Sequence, residues 1–295
     1  MFSKRRDKPL KSQRKMGPML VAPAMLLIFA LLIWPLFYTV YCSFFKLDYL
    51  NFGGFVGWKN YTRILTDKSV YASFGVTFIV TLCSTGISML LGLVLALWID
   101  KRSGIMAFGI EMVGLLPWVI SMMVGTMLWR WVLNGDTSLF NHVLRILGMQ
   151  PIQLFNRKTE AVVTLILVMA WRTIGYSMVM ILAGLKSISE ALVEAARVDG
   201  ANNWKVLTRI RLPLIKTPML ISAIVLTMSN FNNNTVPMVL TSGGPSNATN
   251  VITLYLYKLS FDYYKFGTAS ALSTLLFAVN AIMIFFYIRM VKYDI

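Results

Sequence analysis

Carboxylates are scarce in this chain. Twelve Asp and Glu stand against 28 Lys and Arg, and charged residues of either sign fill only 14% of 295 positions. A soluble domain carries about a quarter charged residues. Histidine occurs once, at His142, and cysteine twice, at Cys42 and Cys83, with no CxxC pair. That leaves no basis for a disulfide framework or a structural zinc site. No G-x-x-x-x-G-K-[ST] loop is present, so the chain lacks a P-loop phosphate cradle. No H-E-x-x-H pair is present either, and a hydrolytic enzyme has little to work with.

What is abundant is apolar. Hydrophobic residues make up 57% of the chain and the mean hydropathy is +0.67. The first apolar run, Met19 to Tyr41, is too long for a signal-peptide core and no small-residue cleavage site follows it. It reads as an uncleaved first span. Further runs cover roughly 73–98, 110–132, 160–183, 218–240 and 267–290, each near the ~20 residues a bilayer core requires. The expected fold is all-α: a polytopic membrane protein with six transmembrane helices. Residues 1–18 form a basic tail and 19–295 the membrane domain. No Asp or Glu lies inside any run; Glu111 is at the edge of the third. Ion-coupled transporters usually keep such a group within the bilayer, so that class is weakened.

The net charge of +16 suggests nucleic acid at first sight. The cations are not gathered into one patch interleaved with aromatics, however; they lie between apolar runs. If 1–18 is cytoplasmic, 17 Lys and Arg fall inside and nine outside, with Arg130 and Arg172 in the spans. That bias places both termini, and the loop 184–217, in the cytoplasm.

This loop is the longest charged stretch after the tail. Ser187 and Glu190 have capping-box spacing, so a helix is expected to start there. Ala191, Leu192, Ala195 and Val198 fall on one helical face. Gly200 suits a left-handed helix end. Asn202 or Asn203 can cap a second helix carrying Trp204, Leu207 and Ile210, which Pro213 is expected to stop. Tethering at both ends to spans argues against a DNA-reading helix pair.

The residues Glu194-Ala195-Ala196, Asp199-Gly200-Ala201 and, further on, Ile210 with Leu212-Pro213 resemble the EAA loop of ABC-importer permeases. In that family the loop docks on a cytoplasmic ATPase, which implies an ATPase-coupling role for Glu194, Ala195, Ala196, Asp199, Gly200 and Ala201. Phe55-Val56-Gly57-Trp58-Lys59-Asn60-Tyr61 is similar to the segment after the first span of sugar-importing permeases. Leu240-Thr241-Ser242-Gly243-Gly244-Pro245 and Phe266-Gly267-Thr268-Ala269-Ser270-Ala271 resemble signatures around their last span. The resemblance points to the maltose-type first permease of the carbohydrate-uptake branch.

Two spans hold polar groups that lipid would reject. Span 5 contains Ser229-Asn230-Phe231-Asn232-Asn233-Asn234-Thr235. Amides in a span must face protein or a wet cavity. Amides paired with aromatics are also what a neutral sugar needs. On a continuous helix, Asn230, Asn233 and Asn234 share one face, while Asn232 points to a neighbouring helix. Span 4 carries Arg172 near mid-depth, where it serves either the substrate or the partner permease. Gly175 and Tyr176 resemble the family's substrate-proximal positions.

The resemblance implies a type I importer permease in a bacterial or archaeal plasma (inner) membrane, with both termini inside. It implies a second homologous permease, two ATPase subunits, an extracytoplasmic solute-binding protein and a carbohydrate substrate. Lipid is a partner and nucleic acid is not. No catalytic residue, metal or cofactor is expected in this chain, since ATP–Mg belongs to the ATPase. The rival reading is an ion-coupled secondary sugar transporter working without an ATPase.

Overall fold

The computed structural model describes residues 21–49, 51–102 and 104–292; the basic tail expected over 1–18 lies outside the described residues. The chain divides into two compact units.

The first unit takes the chain up to Thr66 and the segment Leu259–Phe277. Helix α1, Val21–Cys42, is long and apolar enough to cross a membrane. Cys42 is its only buried residue. A π-helical turn at Phe29–Ile33 precedes Pro35, which has no N–H to offer the regular ladder. A hairpin follows, β1 (Phe45–Asp48) and β2 (Asn51–Phe55), antiparallel with Phe45 opposite Phe55 and Leu47 opposite Phe52. The all-α expectation did not include it. Helix α2, Lys59–Thr66, buries Asn60, Tyr61 and Ile64. The Asn60 amide donates to the Ser43 and Phe45 carbonyls at 2.8 and 2.9 Å. Its oxygen accepts from Thr268 at 3.4 Å. Gly267 passes so close to β1 that a Cβ there would lie 3.1 Å from the Leu47 nitrogen.

The second unit covers Asp67–Lys258 and continues from Ala278. Helix α3 runs Lys68–Asp100, started by the Asp67 carboxylate, which accepts from the Ser69 N–H at 2.8 Å. Helices α4 (Ile105–Val119) and α5 (Met122–Leu133) meet at 96°. Then come α6 (Leu139–Ile146), α7 (Lys158–Lys186), α8 (Glu190–Val198), α9 (Asn203–Leu214) and α10 (Lys216–Phe231), the last two bent by 63°. Helices α11 (Thr235–Thr241), α12 (Ile252–Phe261) and α13 (Phe266–Lys292) complete the chain.

The α3–α7 pair is the spine of this unit. In lipid, apolar surface gains nothing by leaving lipid for protein, so helices associate through close packing and hydrogen bonds. The sequence supplies both. Ser73, Thr77, Ser84, Ser88, Gly92 and Ala96 are buried at helical spacing on α3. Ser88 Oγ lies 2.7 Å from Thr173 Oγ1, and Ser177 Oγ donates to the Ser88 carbonyl at 2.6 Å. A Cβ on Gly92 would come within 2.9 Å of the Met178 nitrogen. Below this crossing Ile99, Met178, Ile181, Leu182 and Ile215 form a buried cluster. A second cluster joins Val80, Leu165, Met169, Val236 and Leu240.

Among the described residues, four continuous helices are long and apolar enough to cross a membrane: α1, α3, α7 and α13. The number rises to six if each bent pair is one span. The expected third span, 110–132, is thus two helices at an elbow. The expected fifth, 218–240, also breaks: α10 ends at Phe231 and α11 begins at Thr235. Three Asn in a row at 232–234 favour a turn over helix, because their amides compete for backbone groups.

Candidate functional site

Two regions carry the residues singled out above. The first is the segment after α7. Ser187 is the C-cap of α7, and its hydroxyl donates to the Gly184 carbonyl at 2.7 Å. It is therefore not the cap of the next helix; Ser189 takes that place, without a side-chain bond. The capping box expected from Ser187 and Glu190 does not form. Helix α8 ends as expected. Gly200 has φ +82°, the Ala201 N–H bonds the Ala196 carbonyl at 2.9 Å, and the Gly200 N–H bonds the Arg197 carbonyl at 3.0 Å. These are the two hydrogen bonds of a Schellman end, which a left-handed glycine permits. Asn202 caps α9, accepting from the Lys205 N–H at 2.8 Å.

Pro213 does not stop α9. A π-helical turn at Leu207–Arg211 absorbs the missing proline N–H, and the Leu212 N–H reaches back to Leu207. The chain bends only at Ile215. Two anchors hold the segment to the bundle. Val193 and Val206 are buried, and Arg211 pairs with Asp100 at the end of α3 at 2.8 Å, both largely buried. The opposite side of α8 is uncovered: Ala191, Leu192, Ala195 and Val198 are all exposed, Val198 by 88%. Glu194, Asp199 and Gly200 are exposed beside them, with Ala196 and Ala201 half-buried. An amphipathic helix normally turns this face inward. This one presents it outward, ahead of a turn that two backbone hydrogen bonds hold between α8 and α9.

The second region is the polar interior. Arg172 on α7 donates to the carbonyls of Ile120 (3.2 Å) and Pro117 (3.4 Å). These sit at the elbow between α4 and α5, where the helix ladder is interrupted, so the guanidinium satisfies acceptors that lipid cannot. Its carbon lies 5.8 Å from the Trp118 ring centre. Tyr176, one turn along α7, packs on the same Trp118 at a tilt of 33°, with centroids 4.7 Å apart. Gly175 lies between them against α4, where Gly114 faces it backbone to backbone.

The asparagines behave differently. The break after Phe231 removes the common helical face expected for Asn230, Asn233 and Asn234. Asn230 is buried and donates to Thr85 Oγ1 on α3 at 3.0 Å. Asn233, one residue before the N-cap Asn234, is buried and its side-chain oxygen accepts from the Val236 N–H in the first turn of α11 at 3.1 Å. Its carbonyl accepts from Thr253. Asn234 is half-buried; its side-chain oxygen accepts from the Thr235 hydroxyl at 3.4 Å and its carbonyl from the Met238 N–H at 3.0 Å. Asn232 exchanges two amide hydrogen bonds with Asn280 of α13, at 2.9 and 3.1 Å, a neighbouring-helix contact as the sequence suggested. So the structure brings Arg172, Gly175 and Tyr176 together, and no hydrogen bond or ring contact among the described residues joins them to the asparagines. Sequence reasoning missed Trp118, Thr85 and Asn280; Pro117 inside an apolar run was the one available signal for the elbow.

Asn230→Ala should act on packing. It removes one buried neutral hydrogen bond and is expected to cost about 0.5–1.5 kcal/mol. Thermal unfolding of the purified protein should register the loss, and Thr85→Val should produce one of similar size. If both variants unfold as wild type does, the assignment to packing is wrong.

Residues 16–292 match the family model described as binding-protein-dependent transport system inner membrane component. The sulfoquinovosyl glycerol transport system permease protein SmoG of Agrobacterium fabrum is 29% identical over 282 residues, covering 95% of this chain and 91% of that protein. The trehalose/maltose transport system permease protein MalF of Thermococcus litoralis is 28% identical over 288 residues, 95% of each. Among solved structures, a chain of a bacterial ABC transporter involved in import of the acidic polysaccharide alginate superposes with a TM-score of 0.84. It has 20% identity and 96% coverage of both chains, a likeness of fold.

Proposed function

The chain belongs to the family of binding-protein-dependent transport system inner membrane components, and from that premise we propose that this permease subunit of an ABC importer admits a carbohydrate or related solute. As a transport subunit it forms half of the pathway. A second, homologous permease forms the other half. Two ATPase subunits hydrolyse ATP–Mg, and an extracytoplasmic binding protein delivers the solute. The ion-coupled alternative falls with the family assignment.

The observation that carries the coupling part is the outward apolar face of α8 on its Schellman turn. A short rigid helix of this kind docks in a groove of a partner. We assign that docking to the segment 184–217, with six spans and both termini in the cytoplasm. Glu194, Ala195, Ala196, Asp199, Gly200 and Ala201 form the contact and its turn. For the solute, Trp118 and Tyr176 offer a pair of tilted aromatic rings and Arg172 has donors beyond the two it spends on the elbow. Gly175 lets α4 approach this group. Asn234 is the amide of the span-5 cluster with capacity left for a ligand, and Asn230 and Asn233 shape the wall behind it. The substrates named for the two curated relatives support a carbohydrate class.

Proteoliposomes carrying the full transporter should accumulate labelled sugar only with ATP on the ATPase side and binding protein on the other. Uptake by this chain alone, or uptake collapsed by an uncoupler while ATP is present, would overturn the reading. Orientation is checked in a version with Cys42 and Cys83 replaced by serine. Lys205→Cys should react with an impermeant maleimide from the cytoplasmic side only, and Asn247→Cys from the outer side only. The reverse pattern would refute the assigned topology.

A further inference from the structure

Beside the docking segment lies a cavity of about 610 Å³. Leu97 and Lys101 line it from the end of α3, Arg197 from α8, and Trp204, Leu207 and Arg211 from α9. Two chemistries meet in this wall. Leu97 and Leu207 are apolar. Of the three cations, Arg211 is neutralised by Asp100 at 2.8 Å. Lys101 and Arg197 are exposed and have no ion-pair partner among the described residues. Next to them Arg102 is held over the Trp98 ring, 3.7 Å from its centre. Trp204 is 70% exposed.

The level of the cavity narrows its ligand. Helix α3 is one of the continuous helices long and apolar enough to cross a membrane, and it ends at Asp100. Tryptophan, lysine and arginine at such an end are the chemistry of the membrane–water interface. A free phosphate ion would use the cations but not the apolar wall. A phospholipid uses both, and basic pockets between membrane helices on the cytoplasmic side suit anionic headgroups.

We propose that this cavity binds one anionic phospholipid of the cytoplasmic leaflet. Its phosphodiester lies between Lys101 and Arg197, and its glycerol and first methylenes run along Leu97 and Leu207. The lipid then bridges the end of a span to the docking helix, so leaflet charge tunes how firmly α8 is tied to the bundle. This goes beyond the transport reading and rests on its cytoplasmic placement of 184–217.

The test uses the complete transporter, delipidated in neutral detergent. It is titrated with dioctanoyl phosphatidylglycerol, dioctanoyl phosphatidylcholine and inorganic phosphate, with bound lipid counted by native mass spectrometry. One phosphatidylglycerol should bind about tenfold or more tightly than phosphatidylcholine. The Lys101→Gln/Arg197→Gln double variant should lose that preference, and a Lys46→Gln/Lys265→Gln control should keep it. Millimolar inorganic phosphate should not displace the lipid. A preference unchanged in the double variant, or displacement by inorganic phosphate, overturns the proposal. Wild-type protein gives a second route that needs no variant. Phosphatidylglycerol with a photoreactive group near its glycerol should label peptides containing Leu97 or Leu207, and labelling confined to other peptides rejects the site. Sugar uptake is measured separately, so loss of this site and loss of the transport reading are told apart.

Discussion

Gly175→Ala should lower the yield of assembled complex and shift its unfolding temperature down by several degrees. The added methyl would sit 2.7 Å from the Gly114 carbonyl carbon and 3.1 Å from Leu115 Cα. Both neighbours are backbone, so no rotamer change relieves the clash. Either α7 moves away from α4 or the elbow opens. Overpacking a tight core costs about 1–3 kcal/mol, and a backbone-to-backbone clash belongs at the upper end. The elbow would also lose register with Arg172, which bonds its carbonyls from the adjacent turn. Differential scanning fluorimetry and size-exclusion yield are the readouts. A variant that assembles and melts like wild type, with only sugar affinity altered, would show that Gly175 faces solute rather than α4.

Gly200→Val is expected to abolish most of the substrate-stimulated ATPase of the complex. Nothing lies within 4 Å of a Cβ at this position, so crowding is not the cause. The cause is φ +82°, which a β-branched residue reaches only with strain. The left-handed conformation costs an ordinary L-residue about 1–2 kcal/mol. In a turn held by only two hydrogen bonds, that is enough to let α8 swing out of alignment with α9. Asparagine tolerates the left-handed region better, so Gly200→Asn should retain most of the stimulation. Solute affinity of the binding protein should not change in either variant. Full stimulation in Gly200→Val would sink the claim that this turn transmits the ATPase stroke.

The contrast between these two glycines shows what could be read in advance. Gly200 was legible because a helix end in the left-handed region is a local event with a local signature. The exposed side of α8 was legible too, as an apolar stripe, although periodicity alone does not say whether such a stripe faces in or out. Gly175 was singled out for a family resemblance, and its packing role depends on Gly114, far away in the chain. The elbow needed Pro117, Ile120 and Arg172 together, and only the first announces itself in sequence. The span-5 asparagines misled because helical periodicity was carried through three consecutive Asn that favour a turn. Two serines stood near the start of α8, and the sequence had no means of telling that Ser187 belongs to the preceding helix.

The 63° bend at Ile215 has a mechanical meaning. Helix α9 continues the segment to which docking is assigned above and α10 enters the bundle, with no loop to dissipate motion between them. Consider a displacement delivered along the α9 axis. At that angle more of it is resolved across α10 than along it. Such a displacement would become a sideways tilt of α10 rather than a plunge. Asn230, near the far end of α10, is tied to Thr85 on α3, and Arg211, in α9 just before the bend, is tied to Asp100 on the same helix. The bent pair is thus tied to one rod on each side of its bend, and α3 is the axle about which it can turn.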